Sequence, residues 1–224
     1  MTMKTYLPEL GLAPLMSALE TGNWSAIDEQ LAQQDYERLG LERILAVAAD
    51  LYARHGRLEG LRVLDVGCNN GLFGKTLAAL GCRVLGIDNG DVDGQGLYEA
   101  LPLGERAARL ELRRIDLLDF LDSDTRPWDC VLLFSVAHHW ETGYAMSGAR
   151  RYTDADLQRI FATLMRRTRR SIYYECPVDE PGFEPGYGVH FLLRHLPTLP
   201  ALRLLGPTIG PNGYLRELWS LDLE

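Results

Sequence analysis

The chain has 224 residues, of which 46% are hydrophobic and 24% are charged, and its formal net charge at pH 7 is −8. This length is typical of about one domain with a sizeable core. The negative charge disfavours non-specific binding to nucleic acid or to an anionic membrane.

The four cysteines lie far apart in the chain and form no C-x-x-C pair. Each stands in or beside an apolar stretch, which indicates buried thiols in a reducing cytoplasm rather than disulfides or a zinc site. The N-terminal stretch is broken by Pro8 and Pro14, and no later stretch reaches 18 apolar residues. The sequence therefore predicts a cytoplasmic protein without a signal peptide or membrane insertion.

Residues 1 to 60 carry apolar residues at helical spacing over 15–19, 27–31 and 39–52. The last of these helices is predicted to end near His55 and Gly56, because glycine is a common helix stop. We expect these residues to form an N-terminal helical cap, and residues 61–224 to form a single structural unit.

The stretch from Leu61 to Asp88 predicts a strand–turn–helix–strand unit. Residues 63–66 form a short apolar strand, a glycine-containing turn follows over 67–71, and a helix over 72–80 ends at Gly81. A second strand over 83–87 closes with Asp88. Because ligands of parallel sheets bind at the carboxyl ends of the strands, the turn and Asp88 should border one crevice.

The spacing of this turn distinguishes between nucleotides. A dinucleotide fingerprint would need glycines at 67, 69 and 72, and two of these positions hold Asn69 and Leu72. The pattern from Asp65 through Gly67 to Gly71 instead resembles motif I, D/E-x-G-x-G-x-G, of the class I S-adenosylmethionine (SAM) methyltransferases. Asn69 replaces the middle glycine, and asparagine is among the residues that best tolerate the positive φ required there.

The remaining elements follow in order. They are a helix over 97–108, strands over 110–115 and 131–136, a helix from Thr153 to Met165 with a capping box, a strand over 171–176, a helix over 189–196, and a terminal hairpin over 202–209 and 214–223. With the resemblance, they predict an α/β fold: a doubly wound, Rossmann-like, seven-stranded sheet with an antiparallel C-terminal hairpin.

The resemblance also implies which residues hold the cofactor. A carboxylate after the second strand would bind the ribose, and an acidic residue after the third strand would contact the adenine. The expected SAM-binding residues are Asp65, Gly67, Cys68, Asn69, Gly71, Asp88, Asn89, Asp116, Leu117 and Ser135.

A second informative segment, Ser135-Val136-Ala137-His138-His139, ends the fourth predicted strand. It resembles the S-V-x-H-H pattern of methyltransferases that act on glycan-terminal or RNA 5′ phosphates. Histidine titrates near neutrality and suits removal of a proton from a hydroxyl acceptor. His139, then His138, and Glu175 on the next strand are the expected catalytic residues, with the two imidazoles predicted to point to different sides.

The segment after the histidines predicts a substrate loop, in which Tyr144, Arg150 and Arg151 would bind an acidic acceptor. A metal site formed by His138, His139, Glu175 and His190 is not expected, because no H-x-x-x-H or H-x-H spacing occurs.

The sequence thus predicts a SAM-dependent methyltransferase, most simply one that methylates an oxygen of a small molecule or glycan terminus. One alternative is an RNA-modifying enzyme that uses the arginines of 166–170 to contact phosphate, although the net charge disfavours nucleic acid. The other is a SAM-binding partner subunit without activity. The acceptor, O- versus N-methylation, the identity of the base and the oligomeric state are left open.

Overall fold

The structure is a computed structural model that describes residues 35–69, 71–90, 109–143, 151–209 and 214–224. The predicted helices over 15–19, 27–31 and 97–108 lie outside these residues. The boundary predicted at residue 60 stays a prediction.

Helices and strands alternate through most of the described chain. In order they are α1 (Asp35–His55), β1 (Arg62–Val66), α2 (Leu72–Ala79), β2 (Arg83–Asp88), β3 (Leu110–Arg114), α3 (Leu117–Ser123), β4 (Trp128–Leu133), α4 (His139–Thr142), α5 (Asp154–Arg167), β5 (Thr168–Pro177), α6 (Tyr187–His195), β6 (Ala201–Ile209) and β7 (Leu215–Asp222).

The strands form one seven-stranded sheet in the order β3-β2-β1-β4-β5-β7-β6. The first five strands in this order pair in parallel, while β7 is antiparallel to both β5 and β6. The strand order reverses between β1 and β4, which is where open α/β sheets bind ligands. The predicted doubly wound sheet and its antiparallel hairpin are confirmed.

Two apolar clusters cover the two faces of the sheet. Because side chains alternate along a strand, Val63 and Leu132 face one cluster while Leu64 and Val131 face the other. The first face is covered by α1 and α2 through residues such as Ile44 and Leu77; the second is covered by α3, α5 and α6 through Phe120, Phe161 and Phe191. In the described ranges, none of the helices has the length and apolarity needed to traverse a bilayer.

Two boundaries differ from the prediction. The strand β5 begins at Thr168, so Arg169 and Arg170 lie on a strand instead of at a helix end. The strand β4 ends at Leu133, and the segment predicted as strand and loop turns into the short helix α4 at His139. The second difference changes the geometry of the histidine pair.

Candidate active site

The turn after β1 has the backbone shape that the motif requires. Gly67, Asn69 and Gly71 all have positive φ, at 72°, 46° and 74°. A Cβ on Gly67 would lie 2.7 Å from the side chain of Val136, so this position needs glycine for space as well as for conformation. The expectation that asparagine can replace the middle glycine is confirmed.

Asp88 joins the end of β2 to this turn. Its carboxylate accepts hydrogen bonds from the backbone N–H of Asn69, at 3.0 Å, and of Gly90, at 2.7 Å. Each carboxylate oxygen retains acceptor capacity, since a carboxylate can accept about four hydrogen bonds. The prediction that the turn and Asp88 lie together is confirmed. Asn89 follows, and its backbone carbonyl accepts a hydrogen bond from Arg114.

Asp65 lies beneath the same turn and is 1% exposed. Burial, together with the neighbouring charge of Asp88, raises the pKa of Asp65 to about 7, although a hydrogen bond from the backbone of Gly74 opposes the rise. Among the described residues, its Oδ2 has no hydrogen-bond partner. A buried acceptor without a partner beside a glycine turn fits a ligand that brings donors, as the amino group of SAM would.

The two residues expected at the adenine side lie at the start of α3. Asp116 caps this helix: its Oδ1 accepts from the backbone N–H of Leu118 at 2.9 Å, and its Oδ2 accepts from the Tyr152 hydroxyl at 3.0 Å. Leu117 is buried in the core beside it. Cys68, in the motif turn, is also buried, and its sulfur lies 2.8 Å from where a Cβ on Gly86 would stand.

Ser135 follows β4 with a φ of 55°, an uncommon value for a residue other than glycine. Its hydroxyl donates to Glu175 at 2.7 Å and accepts from Arg43 at 3.2 Å and from Arg216. Strained backbone of this kind concentrates at functional sites. Here it directs the Ser135 hydroxyl towards the buried charged network of Glu175, Arg43 and Arg216.

Glu175 is the centre of that network and is fully buried. It forms an ion pair with Arg43 at 2.7 Å and accepts from the Thr208 hydroxyl at 2.8 Å, while Arg216 lies 3.6 Å away. Because its oxygens are engaged by these groups, Glu175 is suited to holding its neighbours in place.

Sequence reasoning missed both arginines of the network. Arg43 lies on α1, where its spacing indicates no special role, and it reaches Glu175 only through tertiary packing. Arg216 had a usable signal: it shares its strand parity with Leu218 and Ser220, which are 1% and 0% exposed. Alternation along β7 therefore could have predicted a buried arginine.

The histidine pair lies beside this network. The segment after β4 forms a helical turn, in which the His139 N–H donates to the Val136 carbonyl at 3.0 Å. The expectation that the imidazoles point to different sides is wrong, because strand alternation does not apply to a helical turn. The ring centroids of His138 and His139 are 4.0 Å apart, and Phe183 packs against both rings.

The environment keeps both imidazoles neutral. Burial, and then the charge of Arg216, lowers the pKa of His139 to about 4. Burial, His139 and Arg216 lower the pKa of His138 well below its usual value. His139 therefore stays unprotonated at pH 7, as expected of an imidazole desolvated by apolar neighbours, and the adjacent cation adds to this effect.

The loop predicted to bind the acceptor is only partly described. Tyr144 and Arg150 lie outside the described residues, and Arg151 is exposed. Beside this loop, Glu141 accepts hydrogen bonds from Tyr187, Arg194 and His195, at 2.7 Å, 3.0 Å and 2.9 Å. These bonds tie α4 to α6 and border the histidine site.

Of the four arginines at 166–170, Arg167 and Arg170 are engaged within the fold, whereas Arg166 and Arg169 are exposed. Arg167 donates to the backbone carbonyls of Leu121, at 2.9 Å, and Asp124. Arg170 contacts the His55 ring and lies 3.9 Å from Asp129. These contacts weaken the alternative in which the cluster forms a phosphate-contacting surface.

Comparison with solved structures identifies the architecture. The bifunctional kinase-methyltransferase WbdD matches with a TM-score of 0.60 and 21% identity, covering 81% of this chain and 39% of WbdD. The magnesium protoporphyrin IX methyltransferase ChlM of Synechocystis PCC 6803, with bound SAH, matches with a TM-score of 0.54 and 20% identity, covering 84% and 85%. The fold is that of a SAM methyltransferase.

Sequence comparison finds relatives that are named O-methyltransferases. The ubiquinone biosynthesis O-methyltransferase of Alkalilimnicola ehrlichii is 30% identical over 53% of this chain and 47% of its own length. That of Hahella chejuensis is 24% identical over 59% and 56%. The chain thus spans about half the length of these relatives. No family model matches the chain.

Proposed function

We propose that this protein is a SAM-dependent methyltransferase that methylates an oxygen of a small molecule or glycan terminus, with a phosphate oxygen as one possible acceptor. The observation that carries the proposal is the methyltransferase-fold crevice, in which a left-handed turn is bonded to Asp88 at 3.0 Å. The names of the relatives support the O-methyl chemistry.

The residues proposed to hold the cofactor surround the turn. Asp88 would bind the ribose hydroxyls, and Asp65 and the backbone of 67–71 would bind the amino-acid end. Asp116, Leu117 and Asn89 border the adenine side, and Ser135 lies towards the acceptor. Bound SAM supplies an electrophilic methyl group on a sulfonium, which an acceptor oxygen attacks in line.

The acceptor side is proposed to be the histidine pair. His139 is partly exposed whereas His138 is fully buried, so His139 is better placed to orient the acceptor and accept its proton. Glu175 is proposed as a positioning residue that fixes Ser135 and the two arginines. Tyr144, Arg150 and Arg151 are proposed to contact an acidic acceptor.

Calorimetry with S-adenosylhomocysteine (SAH) tests the cofactor site. Replacing Asp88 with alanine removes the proposed ribose acceptor, and we expect affinity to fall about ten- to a hundred-fold, corresponding to roughly 1.5–3 kcal/mol. Asp119→Ala, which removes an exposed carboxylate from α3, is the matched control and should bind normally. An Asp88→Ala affinity within a factor of two of the parent, with the fold intact, would contradict the assignment.

Turnover tests the histidine. Once an acceptor has been found by screening phenols, sugars and phosphate monoesters, we expect His139→Ala to lower the rate about 10²–10⁴-fold while SAH affinity stays unchanged. His190→Ala, which removes an exposed histidine on α6, should retain the parent rate. If His139→Ala turns over as fast as His190→Ala and the parent, His139 has a packing role and does not take part in catalysis.

A further inference from the structure

The two imidazoles lie close to the carboxylate of Glu180, which the sequence did not predict to be near them. The residues after β5 fold into a turn in which the Phe183 N–H donates to the Glu180 carbonyl at 3.2 Å. This turn brings Glu180 and Phe183 over the histidine pair. One ligand atom each from His138, His139 and Glu180 lies within 4.8 Å of the others.

His138 is the unusual member of this cluster. His138 is 0% exposed, and among the described residues neither of its ring nitrogens has a hydrogen-bond partner. Buried polar atoms almost always have a partner, since leaving one unpaired costs about 1–3 kcal/mol. A fully buried, neutral imidazole with two unused nitrogens beside a second imidazole and a carboxylate has the donor set of a metal site.

We propose that His138, His139 and Glu180 bind a divalent metal ion of the zinc type, with an open position that takes the acceptor oxygen. Two histidines and one glutamate form a three-ligand set that leaves a coordination position free for water or substrate. Donor atoms around a tetrahedral ion with bonds of ~2.0–2.1 Å lie about 3.4 Å apart, so binding would draw these groups together by at most about 1.4 Å.

The surrounding charges select the kind of ion. Arg216 donates to Glu180 Oε2 at 2.8 Å, which orients the carboxylate in the way that outer partners orient metal ligands. The same arginine opposes a nearby positive charge. An ion bound here must therefore gain from coordination to nitrogen, which favours Zn²⁺ or Co²⁺ over the oxygen-preferring Mg²⁺ and Ca²⁺.

This inference rests on the proposed function and changes one part of it. The ring nitrogens that would accept a proton from the acceptor would instead hold the ion. The ion would lower the pKa of the bound hydroxyl, whose proton leaves to solvent as the oxygen coordinates. The methyl group then passes from sulfur to that oxygen, with SAH as the other product.

Co²⁺ binding to the tag-free, chelator-treated protein tests the proposal through its visible absorption. We expect one equivalent to bind the parent and His190→Ala, and the affinity to fall at least tenfold in His138→Ala, His139→Ala and Glu180→Gln. Glu141→Gln is the second control, because Glu141, Asp154 and His195 form a neighbouring cluster of possible ligands. It should retain the Co²⁺ spectrum.

Three results would overturn the proposal: no Co²⁺ binding by the parent, unchanged binding in Glu180→Gln, or loss of binding in Glu141→Gln alone. SAH calorimetry on the same preparations separates this outcome from failure of the methyltransferase assignment. SAH binding without Co²⁺ binding would remove the metal and leave the proposed function. Co²⁺ binding that depends on all three ligands, without SAH binding, would remove the proposed function.

Discussion

Asp65 shows how a single buried carboxyl group makes stability depend on pH. Its pKa is raised from 3.8 to about 7, first by burial and then by the charge of Asp88. Between these values the folded protein holds a proton that the unfolded chain has released. The free energy of unfolding should therefore fall as pH rises from about 4 to about 7, by at most ~1.4 kcal/mol per pH unit.

We expect Asp65→Asn to remove this pH dependence because the amide does not titrate. Relative to the parent, the variant should gain on the order of 2–4 kcal/mol between pH 4.5 and pH 7.5. Urea unfolding at both pH values measures the change. Asp119→Asn, at an exposed site, should show no such difference, and an equal offset for Asp65→Asn at both pH values would contradict the raised pKa.

At the scale of elements, α5 begins with a complete capping box. The Thr153 hydroxyl accepts from the Asp156 N–H at 3.2 Å, and the Asp156 carboxylate accepts from the Thr153 N–H at 3.0 Å. The box satisfies two N–H groups that would otherwise lack partners at the helix start. It was predicted from the sequence and is confirmed.

Thr153→Ala should lower the free energy of unfolding by about 1 kcal/mol, because the N–H of Asp156 loses its acceptor. Thr153→Ser keeps the hydroxyl and should stay close to the parent. Chemical denaturation of the three proteins decides the point. If alanine is no worse than serine, the box contributes nothing measurable.

Elements with strong local signals were predicted well, and those fixed by distant contacts were not. The capping box, the motif turn and the terminal hairpin each depend on neighbouring residues, so their patterns suffice. The apolar pattern of β4 runs on towards His138 and His139, which is why the sequence predicted a longer strand. The strand instead ends at Leu133, and the chain turns into the short helix α4. Nothing local indicates that Glu180 folds back over it.

At the scale of the whole molecule, ion pairs join α1 to the strands β5 and β6. Arg43 and Glu175 are 132 residues apart in the chain and form a buried ion pair. Asp50, also on α1, accepts from Tyr173 at 2.8 Å and pairs with Arg203 at 2.8 Å. The helix therefore contributes to the proposed acceptor side as well as to the core.

Arg43→Met should lower the free energy of unfolding by about 3–5 kcal/mol, since it leaves Glu175 buried without this cation. The double variant with Glu175→Gln should recover part of the loss, and a double-mutant cycle measures the coupling. Arg57→Met, at an exposed position just after α1, is the matched control. Strict additivity of the two changes would show that the pair is not coupled.

The long separation between Arg43 and its partner has a consequence for biosynthesis. Most of the proposed cofactor site is built within residues 62–90, so a ribosome delivers this part before the proposed acceptor side is complete. The proposed acceptor side needs Arg43 from α1 and Arg216 from β7, which both donate to Ser135. At the usual 5–20 residues per second, the nascent α1 waits on the order of 10 s or more for Glu175 and Arg216 to emerge. The apolar face of α1 and the Arg43 side chain stay accessible to chaperones for that interval.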